Sequence, residues 1–174
     1  MEIDTTEIRF SAEKLTEVHE IIARYPEGRQ KSALLPVLHI AQAEFDNWLS
    51  PEVMDYVAGL LDIEPIEVYE VASFYTMFNL QPVGKYVLET CRTGPCCLVG
   101  AEKIQAHLEG KLGIKPGETT ADGLFTLKPV ECLAACGFGP VMQVGATYYE
   151  RLTPEKIDEL LERFRNENQR ATYC

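Results

Sequence analysis

Two cysteine pairs constrain this chain more than any other feature. They fall as Cys91-x4-Cys96 and Cys132-x3-Cys136, with 35 residues between the pairs, and Cys97 and Cys174 complete a set of six. Glycine and proline crowd both pairs, as Gly94-Pro95 in one and Gly137-Phe138-Gly139-Pro140 in the other. Glycines let backbone N–H groups approach anionic sulfur closely. Structural zinc favours shorter C-x2-C knuckles, and a thioredoxin-type dithiol requires C-x-x-C, which is absent. A [2Fe–2S] cluster takes four thiolates on wider loops, and C-x4-C spacing has precedent there. Spacing alone therefore ranks iron–sulfur ahead of zinc and of inert buried thiols. It does not decide between Cys96 and Cys97, because C-x5-C is also conceivable.

The periodicity around these pairs divides the 174 residues near Pro82-Val83-Gly84, giving an expected helical part over 1–82 and a cysteine-bearing part over 83–174. Before the break the pattern is helical. Ser11 is placed to cap a helix with Leu15, Val18, Ile21, Ile22 and Tyr25 on one face, stopped by Pro26 and Gly28. Leu34, Leu35, Leu38, Ala41 and Phe45 form a second stripe, and Pro36 requires that helix to begin near Ala33. Ser50-Pro51 opens a third, with Val53, Tyr56, Val57 and Leu60. Pro65 opens a fourth through Ile66, Tyr69 and Ala72. The aromatic run "SFYTMFNL" is expected to close the bundle as an extended segment.

After the break the pattern alternates. "KYVLETC", "LFTLKPVEC" and "PVMQVG" read as strands, the last two near enough to form a hairpin. "CLVGAEKIQAHLEGKLG" reads as one helix with Val99, Ile104, Leu108 and Leu112 inward, and Thr153-Pro154 opens a final helix through Ile157, Leu160, Leu161 and Phe164. The order strand, helix, strand, strand, helix is an α/β layer whose strand ends gather the cysteine loops at one edge.

A net charge of −11 leaves few cations to neutralise phosphates, which argues against nucleic acid and against an anionic membrane surface. No apolar run reaches membrane-spanning length, and "MEIDTTEIRF" lacks the basic and apolar start of a signal peptide, so a cytoplasmic setting with reduced thiols is expected. No G-x-G-x-x-G follows a strand, and there is no P-loop. No catalytic residue is assigned. His19, His39 and His107 fall on helices away from the cysteines, which speaks against a Rieske-type site. Cys97 is expected to be a buried small hydrophobe and Cys174 an exposed end. Arg92 is read either as offsetting cluster charge or as a plain solvent-exposed arginine.

"KSALLPVLHIAQ", "VYEVASFYTMF", the C-x4-C pair, "VECLAACGFGPVMQV" and "YYERLTPEKIDELL" together resemble the thioredoxin-like [2Fe–2S] ferredoxin subunit of bacterial respiratory complex I, over nearly the whole chain. The resemblance implies a helical bundle followed by a thioredoxin-like [2Fe–2S] domain. It implies Cys91, Cys96, Cys132 and Cys136 as the ligands, with Cys97 a neighbour. It also implies a flavoprotein partner that binds FMN and NAD and feeds electrons one at a time, other peripheral-arm subunits, and a place on the cytoplasmic face of the inner membrane without direct membrane contact. The same subunit type serves NAD-reducing hydrogenases and NAD-dependent formate dehydrogenases, and a free-standing thioredoxin-like ferredoxin is the alternative from another class. Many members carry Asn-Ala-Pro after the fourth cysteine; Gly137-Phe138-Gly139-Pro140 stands there in this chain, which alters the loop's hydrogen bonding to sulfur.

Overall fold

A computed structural model describes residues 8–167. Cys174 lies outside the described residues. The chain divides into two compact units, the first ending at Pro82 and the second beginning at Val83.

The first unit contains four helices: α1 (Ala12–Ile22), α2 (Leu34–Glu44), α3 (Pro51–Leu61) and α4 (Pro65–Phe74). Their starts follow from capping chemistry. The Ser11 hydroxyl accepts from the Lys14 N–H, and the Ser50 hydroxyl accepts from the Val53 N–H ahead of Pro51. Glu64 and Glu67 close a reciprocal capping box at α4. A short 3-10 turn over Gln30–Ala33 leads into α2, so Pro36 falls in the first turn, where its missing N–H costs nothing. The apolar stripes meet in one core built on Val18, Leu38, Val57 and Val68.

Three expectations fail in this unit. Tyr25 lies past the end of α1 and is exposed. Ile66 faces outward, and α4 buries Val68 in its place together with the expected Ala72. The aromatic run is not extended: Ser73 and Phe74 finish α4, and a turn follows. A buried polar network shapes that turn. Gln42 Nε2 donates to the Met77 carbonyl at 3.1 Å, and its Oε1 accepts from the Asn79 N–H at 2.6 Å. The Asn79 amide group donates to the Asn47 carbonyl, and the Asn79 carbonyl accepts from the Leu49 N–H. With its backbone satisfied by a side chain from α2, the turn does not need a sheet partner. Only Phe78 of the aromatic cluster is buried; Phe74 and Tyr75 remain exposed.

The second unit is a four-stranded sheet in the order β2-β1-β3-β4, comprising β1 (Tyr86–Cys91), β2 (Phe125–Val130), β3 (Met142–Val144) and β4 (Thr147–Tyr149). Strands β1 and β2 are parallel, with Tyr86 opposite Phe125 and Cys91 opposite Val130. The expected hairpin of β2 with β3 is therefore corrected. β3 pairs antiparallel with β1, and the hairpin joins β3 to β4, a strand too short to stand out in the sequence. A parallel neighbour needs a crossover, which the intervening helices supply.

Those helices are α5 (Gly94–Leu98) and α6 (Ala101–Leu112), and α7 (Pro154–Asn166) ends the described chain. The single helix expected from Cys97 onward is broken at Gly100, whose φ of 103° lies in the left-handed region that glycine tolerates. The break turns Val99 outward, against expectation, while Ile104 and Leu108 stay in the core. Leu88, Leu127, Ile157 and Leu161 join them. Asp158 on α7 bridges His107 and Lys111 on α6, at 2.8 Å to each.

Candidate metal centre

Parallel pairing of β1 and β2 brings the two cysteine loops to one sheet edge. Cys91 is the last residue of β1, and Cys132 lies just past the end of β2. Cys96 sits inside α5, and Cys136 opens a 3-10 turn over Cys136–Phe138. The Cys91 N–H donates to the Val141 carbonyl, which ties this edge to the segment entering β3. Cys91 and Cys96 are buried, whereas Cys132 and Cys136 are exposed.

Backbone N–H groups converge on the sulfur atoms. Cys91 Sγ accepts from the N–H groups of Thr93 and Leu133, and Cys96 Sγ accepts from the Val141 N–H. Cys132 Sγ accepts from the Ala134 N–H at 3.3 Å, and Ala134 takes φ +55° at that position. Gly139 leaves room for the same arrangement: a Cβ there would lie 3.3 Å from Cys96 Sγ and 2.9 Å from Val99 Cγ2. Burial pushes the Cys91 thiol up, but the donated hydrogen bonds outweigh it and the net direction is down. Burial, reinforced by the adjoining Cys91 sulfur, pushes Cys96 up to about 11. Two neighbouring thiols in this state resist double ionisation, and a bound multivalent cation removes that resistance.

Among the described residues no three His, Cys, Asp or Glu side chains close on a point where one metal ion could be held. The thiols form two pairs on two loops, and amide donors reach three of the four sulfur atoms. A binuclear cluster needs two thiolates on each iron and donors to anionic sulfur, and this donor set fits it. A single tetrahedral zinc needs tighter convergence.

Residues 18–165 match the thioredoxin-like [2Fe-2S] ferredoxin family. The chain belongs to that family. A [2Fe–2S] cluster is accordingly the cofactor of this ferredoxin. An NADH-quinone oxidoreductase subunit of Rickettsia bellii (strain RML369-C) is 42% identical over 167 residues, covering 96% of this chain and 100% of the relative. The corresponding NADH-quinone oxidoreductase subunit of Rhizobium meliloti (strain 1021) is 48% identical over 149 residues, covering 86% of this chain and 87% of the relative. An NAD+-reducing [NiFe]-hydrogenase in the H2-reduced state aligns with TM-score 0.68 and 24% identity, over 78% of this chain and 22% of that one. That likeness shows the shared fold.

Of two residues beside the centre, Cys97 departs from expectation and Arg92 takes one of the two readings left open for it. Cys97 is only half-buried, and its S–H donates to the Arg92 carbonyl at 3.3 Å. Arg92 is exposed and pairs with the Glu131 carboxylate, Nε lying 3.0 Å from Oε1. This is the solvent-exposed reading, with the charge neutralised locally. Sequence reasoning missed the amide donors of Thr93, Leu133, Ala134 and Val141. Backbone donors leave no residue-type signal, and the glycines at 137 and 139 were their one visible trace.

Proposed function

We propose that this chain is the electron-transfer subunit of an NADH:quinone oxidoreductase, with Cys91, Cys96, Cys132 and Cys136 holding its [2Fe–2S] cluster. The carrying observation is the pairing of two cysteine loops at one sheet edge, with backbone N–H groups already aimed at sulfur. When bound, such a cluster takes up and releases one electron at a time. The residues of this chain hold the sulfur atoms in place, and the N–H groups of Thr93, Leu133, Ala134 and Val141 offset negative charge on them. Cys132 and Cys136 keep the site close to the surface, where a partner can reach it.

Hydride carries two electrons, so a flavin must divide them, and that flavin belongs to a partner. The occupant of this role is an FMN- and NADH-binding flavoprotein subunit, with the other peripheral-arm subunits around it. The names of the relatives support this assignment. Among the described residues no helix is long and apolar enough to cross a membrane. In this reading the chain sits peripherally, on the cytoplasmic side of the membrane-bound complex. The first unit supplies docking area through an outward stripe on α4 and the turn after it. Ile66 is 63% and Phe74 76% exposed, and Tyr75 and Met77 flank them.

Iron and sulfide analysis of the purified chain tests the assignment, with about two of each expected per molecule. Replacing Cys91, Cys96, Cys132 or Cys136 by Ala should abolish or badly weaken the visible absorbance, and Cys97→Ala should retain it. Loss of the cluster in Cys97→Ala with retention in Cys96→Ala would show the ligand set to be wrong.

A further inference from the structure

A groove lies directly beside the cysteine loops. Its volume is about 430 Å³, and Leu98, Val99 and Ile104 form one wall while Pro140, Leu152 and Pro154 form the other. Leu98 is 90% exposed and Val99 55%, and Phe138 is also exposed. These side chains are built onto the centre itself. Leu98 and Val99 follow Cys96 in the chain, and Phe138 follows Cys136. The opposite wall is tied to the same loop, because the Arg151 N–H donates to the Phe138 carbonyl at 2.7 Å and the Leu152 N–H to the Pro140 carbonyl at 3.1 Å.

The residues lining this groove carry one charge, and it is positive. Lys103 is the one charged residue lining the groove, and the Arg151 guanidinium lies 5.7 Å from the centre of the Phe138 ring. Two cations stand here on a chain of net charge −11. An apolar cleft with a cationic lip is complementary to an apolar side chain flanked by carboxylates. A second copy of this chain does not suit it, since each copy carries a net charge of −11 and the two repel each other. An anionic membrane does not suit it either, since lipid-binding patches gather about four to eight cations.

We infer that the groove between Leu98–Val99 and Leu152–Pro154, with Phe138 at its edge, is where the flavoprotein subunit docks, by inserting an apolar side chain with acidic neighbours. The inference rests on the function proposed above. It deepens that reading by naming the surface through which the partner covers the exposed side of the centre. Leu98 fills the contact, Lys103 and Arg151 orient it, and none of the three is a sulfur donor.

The test uses the full-length, cluster-loaded chain and the purified flavoprotein subunit. Leu98→Asp and Lys103→Glu are compared with the unaltered chain by titration binding, with the visible and EPR spectra recorded alongside. Leu98 is so exposed that its replacement leaves the core intact, and Lys103→Glu is an independent second probe. Each variant should keep the unaltered spectra and lose roughly tenfold or more in affinity. Lys103→Glu should also weaken the salt dependence of binding. Unchanged affinity in both variants, with the unaltered chain binding, overturns the groove while leaving the proposed function standing. No binding by the unaltered chain overturns both. Self-association, or cosedimentation with vesicles containing phosphatidylserine, that is lost in Leu98→Asp while flavoprotein binding persists, assigns the groove to another occupant and overturns the inference.

Discussion

At the scale of single residues, two glycines separate the demands of the fold from those of the centre. Gly84 meets the chain entering β2 so closely that a Cβ would lie 2.9 Å from both the backbone N and C of Phe125. Its N–H also donates to Thr126 Oγ1 at 2.6 Å. Backbone cannot rotate aside, so Gly84→Ala should destabilise the second unit by about 1–3 kcal/mol, the usual cost of overpacking. Denaturant midpoints of the two proteins measure it, and equal midpoints would mean that the strands separate freely. Gly139 presents the opposite case. An added Cβ would meet the exposed, movable Val99 side chain at 2.9 Å and Cys96 Sγ at 3.3 Å. Gly139→Ala should therefore leave the midpoint nearly unchanged but shift the EPR signal and potential of the bound cluster, because it presses on the sulfur of a proposed ligand. A spectrum identical to that of the unaltered chain would remove Cys96 from the ligand set or show that the loop yields. The sulfur-bearing residues were legible because thiols at fixed spacing are a residue-type signal. The placing of Cys97 was not, because adjacency says nothing of direction: its S–H finds the Arg92 carbonyl.

At the scale of elements, helix starts were legible because they rest on local chemistry: Ser11, Ser50 and Thr153 each cap the helix the sequence assigned to them. What failed was decided by tertiary partners. The aromatic run looks like a strand until Gln42, distant in sequence, supplies its hydrogen bonds. The pairing of β2 with β1 rather than β3 depends on how α5 and α6 cross over, which strand periodicity does not encode. The α6–α7 contact carries a testable electrostatic component. Hydrogen bonding to Lys111, and then to His107, holds the Asp158 carboxyl below its usual range. A depressed folded-state value means that the ionised form stabilises the fold above the unfolded-state value. That contribution is lost as pH falls through the folded-state value. Asp158→Asn should thus lower the unfolding midpoint slightly at neutral pH, where screening keeps the effect small. The difference should persist through mildly acidic pH and fade only below the ordinary carboxylate range. Circular dichroism across that series checks it, and a difference already gone in mild acid would contradict the depressed value.

At the scale of the whole molecule, each unit has its own core, the first around Leu38 and Val57 and the second around Leu88 and Leu127. All four proposed ligands lie in the second. A chain beginning at Pro82 should therefore still assemble the cluster but bind the flavoprotein more weakly. A specific interface buries about 800 Å² on each partner, and removing Ile66, Phe74 and Met77 takes away exposed apolar area. Equal affinity of the fragment and the full chain would end the docking role of the first unit, and failure of the fragment to fold would mean that its core depends on the first unit. The same division of labour governs catalysis. The sequence has no glycine-rich dinucleotide turn after a strand. The glycine-bearing loops around the cysteines approach sulfur, with Gly139 set against Cys96, and so are poor cradles for a pyrophosphate. A one-electron site cannot receive a hydride, so oxidation of NADH must begin on a flavin held by another chain. The isolated chain, free of flavin, should show no NADH:ferricyanide activity, and the mixture with the flavoprotein subunit should show it. In that mixture NADH should also bleach the visible absorbance of this chain's cluster, which it should not do when the flavoprotein is left out. Substantial activity from this chain alone would demand a nucleotide site among its own residues and would overturn its assignment as an electron carrier.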